Sequence, residues 1–182
     1  MTVIGYSKQR VWLHWLSAAV IVWALLSGFY VACFEVSAQL RRWVSFINVS
    51  LTTVFIPFFV WRLMLFLAYV RQVSLGSLAV MEGFALLVHT LIYLTVTVVL
   101  MTGVLMMDRP IDVFGLIEIA QPLNDPWLIA LCVTVHIWAC VVLGLLIVLH
   151  VSAVVFHECR GHRVLRRMSL RRAGHRLYNL HE

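Results

Sequence analysis

The stretch WLIALCVTVHIWACVVLGLLIVLHVSAVVF, residues 127–156, decides the fold. It contains no Asp, Glu, Lys or Arg over 30 residues. As a helix it would be ~45 Å long, enough to cross a hydrocarbon core of ~30 Å with length to spare. Two of its polar groups are His136 and His150, fourteen residues apart. At 100° per residue that spacing returns to nearly the same helix face, ~21 Å further along the axis. Imidazoles at two depths of a membrane helix are costly unless something satisfies them. One reading is a pair of metal centres stacked across the membrane; with no CxxCH motif in the chain they would be non-covalent, b-type haems. The other is ordinary polar contact between helices. The spacing alone serves both.

The rest of the chain has the same character. Of 182 residues, 63% are apolar and the mean hydropathy is +0.96. A soluble domain of this length could not hide so much apolar surface, so the bilayer must solvate it. Trp12, Trp15, Trp43, Trp61 and Trp127 fall near span ends, as interfacial aromatics do. Cys33, Cys132, Cys140 and Cys159 form no CxxC and no metal spacing, and read as small buried hydrophobes. The first apolar run lacks a small-residue cleavage site and reads as a retained span.

In chain order, a polar opening (Met1–Arg10) leads into span one, residues 11–34, with His14 near its entry. A polar turn from Glu35 to Arg42 precedes span two, residues 44–70, where Pro57 should produce a kink and Arg62 lies toward the far end. The connection Arg71–Glu82 leads to span three, residues 84–107, with His89 near its start. The loop Asp108–Asp125 carries four acidic residues, and span four, 127–156, ends in a basic tail, 157–182. No repeat or second domain is visible. The expected fold is all-α, a single four-helix up-down transmembrane bundle over residues 1–182.

With an even number of spans both termini share a side. That side, with Arg62 and Arg71, holds eleven of the fourteen Lys and Arg residues; the other holds Arg41, Arg42 and Arg109. The termini are therefore expected in the cytoplasm, and the tail arginines against anionic lipid. A nucleic-acid partner is not expected, since no soluble module is present.

Orientation then sets depth. Span one runs outward and span four inward, so His14 and His150 share the inner level and can meet across one haem. His136 lies at the outer level. The position that should face it, early in span two, is Asn48.

At this point the sequence resembles the bacterial cytochrome b561 family, small four-helix dihaem membrane cytochromes that include a superoxide:ubiquinone oxidoreductase. The matching pieces are His14-Trp15-Leu16, Asn48-Val49-Ser50 with Arg62, and His89-Thr90-Leu91-Ile92-Tyr93-Leu94. Arg109 to Gly115 in the loop, His136, His150 and Leu165-Arg166-Arg167-Met168 complete the set. The resemblance implies haem ligation by His14 with His150, and by His136 with a histidine that is here Asn48. An amide is a poor iron ligand beside imidazole. The outer site is thus expected empty, five-coordinate on His136, or completed by Met101 or Met106. One haem is the favoured outcome, with a second on Asn48→His provided that neighbouring side chains have not filled the pocket. An Asn48–His136 hydrogen bond is expected to close the outer level instead. Arg62 suits a haem propionate, and His89 either a propionate, a quinone carbonyl or another helix.

The function implied is one-electron exchange between a b-type haem and membrane quinone, ubiquinone in the family, in a bacterial inner membrane. No nucleophile–base constellation suggests other chemistry. The competing readings are a haem-bearing anchor or accessory subunit of a larger respiratory complex, and a structural protein in which haem props the fold.

Overall fold

The computed structural model describes residues 8–73 and 79–161. Four helices run α1 (Lys8–Cys33), α2 (Ala38–Gln72), α3 (Val80–Leu105) and α4 (Pro126–Cys159), with a short antiparallel hairpin, β1 (Ile111–Val113) and β2 (Ile117–Ile119), between α3 and α4. All four helices are long and apolar enough to cross a membrane, as expected. The end where α1 starts and α4 finishes is termed proximal; the other is the hairpin end. The opening residues, part of the α2–α3 connection and most of the basic tail, with the arginines expected against anionic lipid, lie outside the described residues.

The helices outrun the spans read from hydropathy, most of all α2, which begins at Ala38 instead of residue 44. Local caps explain the difference. Ser37 accepts from the Leu40 amide at 3.2 Å, so the helix starts in polar sequence ahead of the apolar run. Asp125 accepts from the Trp127 amide at 2.8 Å, with Pro126 in the first helical turn, the pairing that opens a helix cleanly. Arg41 donates to the Val31 carbonyl at 2.9 Å, satisfying an acceptor left over where α1 ends. Helix α2 runs through Pro57 without interruption.

Helix α1 packs chiefly on α2, and α3 on α4; α2 and α3 join the two pairs. Contact between α1 and α4 is slight. A mid-bundle core of Val20, Phe55, Phe59, Val96 and Leu143 draws on all four helices. Polar side chains gather above and below it. Most other large apolar side chains face outward, as lipid-solvated helices require.

The hairpin was not legible as more than a loop. Phe114 and Gly115 both take positive φ, 54° and 70°, the twist that matches a tight hairpin turn. Glycine adopts this freely; phenylalanine does so at a cost. Two contacts hold it there: the Phe114 amide donates to Ser50 at 3.1 Å, and its ring meets Phe46 edge-on at 6.3 Å. Ser50, 0% exposed, also donates to the Asp112 carbonyl at 3.1 Å. One α2 hydroxyl therefore fastens the hairpin over its end of the bundle, with Ile111 and Val113 buried beneath.

Candidate functional site

Each helix carries a pair of residues fourteen positions apart: His14 and Gly28, Asn48 and Arg62, His89 and Gly103, His136 and His150. The spacing sets two levels ~21 Å apart along the helices. The period is legible in the sequence of α4; on α1 and α3 glycine hides it, because an absent side chain carries no chemical signal.

At the proximal level, His14 (α1), Arg62 (α2), His89 (α3) and His150 (α4) converge. Arg62 donates to His14 Nδ1 at 2.9 Å, and its guanidinium lies 5.2 Å from the Tyr93 ring centre. Tyr93 in turn stacks on Phe66, with centroids 4.2 Å apart. The His89 and His150 rings meet edge-to-face at 5.1 Å. His14, Arg62, His89 and His150 are close enough to influence one another electrostatically. His89 Nδ1 donates to the Ala85 carbonyl at 2.7 Å, which leaves Nε2 as a lone-pair acceptor. Among the described residues, neither nitrogen of His150, nor Nε2 of His14 or His89, has a hydrogen-bond partner. The acidic residues of the four helices are Glu82 in the first turn of α3 and Glu158 near the end of α4. Inside the bundle, the Arg62 charge meets rings.

The hairpin level is different. His136 Nδ1 lies 3.1 Å from the Val99 carbonyl, an acceptor, and so carries the proton. Thr102 Oγ1 lies 3.2 Å from the same nitrogen, while Cys140 Sγ lies 3.5 Å from Nε2 and can donate its thiol proton there. Both ring nitrogens are occupied. The ring packs against Gly103 so closely that a Cβ there would lie 3.2 Å from its Cε1. Asn48 faces Ser27, which donates to its Oδ1 at 3.0 Å. The expected Asn48–His136 hydrogen bond is not formed, because each has a nearer partner on the helix packed beside its own. Met101 is 59% exposed, and Met106 is half-buried. A cavity of about 40 Å³ remains, lined by residues that include Thr52, Gly103, Ile111 and His136. A 150 Å³ cavity admits a benzene, whereas ~40 Å³ suits water.

Fold and site together define a class: a four-span helical membrane protein with basic, imidazole-rich groups gathered inside it. The sequence profile of the prokaryotic cytochrome b561 family matches residues 5–169, and the chain belongs to that family. No curated protein matches the chain. Membership makes it a multi-pass bacterial membrane protein of b-type haem electron transfer.

The proximal level fits such a group. Among the described residues the nitrogens without a hydrogen-bond partner are not fully buried, and polar atoms open to lipid at a membrane-spanning level are costly; here they belong to imidazoles, which ligate haem iron. The adjoining guanidinium has the charge and shape for a carboxylate. The hairpin level does not fit a bis-imidazole haem: its one imidazole is hydrogen-bonded at both nitrogens, and the facing side chain is an amide.

Proposed function

We propose that the protein carries one haem, held at the proximal level by His14 and His150, and exchanges electrons with membrane quinone on the cytoplasmic side. The observation that carries this reading is the set of imidazole nitrogens at that level without a hydrogen-bond partner among the described residues, beside a guanidinium that meets no carboxylate among them. When bound, the haem supplies one-electron chemistry between ferric and ferrous iron. His14 on α1 and His150 on α4 would hold the iron. Ligation by His14 through Nε2 needs the proton on Nδ1, which parts Arg62 from that nitrogen. The guanidinium would then be available to hold a propionate, which would offset its charge in the membrane.

His89 is assigned the quinone. Its Nδ1 proton is committed to Ala85, so Nε2 can accept a quinol hydroxyl proton as an electron leaves the quinol, and can return it in the reverse direction. The eleven-to-three distribution of Lys and Arg supports a cytoplasmic proximal end and an inner-membrane location.

The test is the haem-to-polypeptide ratio of the purified protein, with reduced-minus-oxidised spectra of the wild type and of His14→Ala and His150→Ala. One low-spin haem per chain, lost in either variant, is expected. An unchanged bis-imidazole spectrum in either variant overturns the ligand assignment. Purification as a fixed part of a larger respiratory assembly, without quinone-linked redox activity of its own, would favour the accessory-subunit reading instead.

A further inference from the structure

Resting on the one-haem reading above, we infer that this protein exchanges electrons at its proximal level alone, so that donor and acceptor both reach it there and neither is served through the hairpin end. Three features of the hairpin level carry the inference.

The first is the commitment of His136. Its Nδ1 proton is held from α3 by Val99 and its Nε2 faces the thiol one turn along its own helix. A histidine that takes a metal needs one nitrogen open; His136 has neither open. The second is Asn48, whose carbonyl oxygen is tied to Ser27 of α1, so the helix packed beside α2 holds it instead of α4. The third is the hairpin, pinned by the fully buried Ser50 and placing Ile111 in the wall of the remaining cavity. Together these replace a metal site by a closed set of hydrogen bonds.

The consequence is one of distance. From the proximal level to the hairpin level is ~21 Å along the helices. Between them lies the core of Val20, Phe55, Phe59, Val96 and Leu143, which contains no group that takes up or gives an electron under ordinary conditions. Electron transfer weakens exponentially with separation, so a reactant at the hairpin face is cut off from the iron. A lipid-dissolved quinone can approach the proximal level from the side, and a second reactant must come to the same level from the bilayer or from the water at that end. The protein would then join two reactants on one side of the membrane and carry no electron across it.

The test uses full-length protein reconstituted in vesicles, its orientation fixed by protease access to the ends of the chain. The haem is reduced with a membrane-permeant reductant, and impermeant ferricyanide is added from one side. Fast oxidation from the proximal side, with oxidation from the hairpin side slower by at least an order of magnitude, is expected. Comparable rates from both sides overturn the inference. A second readout is His136→Phe, expected to leave haem content, spectrum and side preference as in the wild type; loss of haem from this variant overturns the inference. The two readings fail separately. Two haems per chain, one of them lost in His14→Ala, would sink one-sided exchange and leave the proximal ligands standing. Retention of all haem in His14→Ala would sink the ligand assignment itself.

Discussion

Replacing Ser50 by alanine removes one oxygen from a site with 0% exposure. That oxygen donates to the Asp112 carbonyl and accepts from the Phe114 amide, both at 3.1 Å. The variant leaves an N–H and a C=O without this partner in a part-buried contact. A neutral hydrogen bond contributes about 1 kcal/mol net, and a stranded buried partner costs about 1–3 kcal/mol. Two partners are affected, so the hold of the hairpin on α2 should weaken by roughly 2–3 kcal/mol. At 1.4 kcal/mol per factor of ten, the lifted fraction rises roughly 30- to 150-fold. Phe114 bears the effect twice, because its positive φ is costly by itself and is held by this bond. Amide hydrogen exchange at Phe114 and Leu116 reports the lifted state directly. Haem content should not change, since Ser50 is twelve residues from Arg62, ~18 Å along α2. Unaltered exchange at Phe114 would refute the view that this hydroxyl fastens the hairpin.

Three further outcomes are expected. Arg62→Gln removes the cation beside His14 and leaves a propionate unpaired; the midpoint potential should fall by tens of millivolts, ~59 mV being tenfold for one electron, and a redox titration showing a rise would contradict the pairing. Asn48→His should leave the haem-to-chain ratio at that of the wild type, because His136 is occupied from α3 and α4 and the cavity beside it is only about 40 Å³; haem gained in the variant would show that only the ligand had been lost. A reporter fused after Glu182 should be active in the cytoplasm, and activity confined to the periplasm would reverse the sides assigned to the two levels.

The sequence by itself determined the membrane class, the four spans and the depth of each polar residue. Apolar runs long enough to cross a bilayer admit few other folds, and a fixed rise per residue turns residue number into depth. His14, Arg62, His89 and His150 could be placed at one level on that basis, and they do converge there. Direction around a helix axis was another matter. Asn48 and His136 share a level as expected, yet one faces Ser27 and the other Val99 and Cys140, since which neighbour a side chain meets depends on which helices pair. The hairpin also escaped notice: three-residue strands in a loop carry too short a pattern to read, and Ser50, the residue that fastens it, is a small polar side chain in an apolar run. Gly28 and Gly103 mark the two remaining helix positions by having no side chain at all. What only the tertiary structure decided was therefore which imidazoles remain open and which are already satisfied, because a histidine's availability is a property of its neighbours.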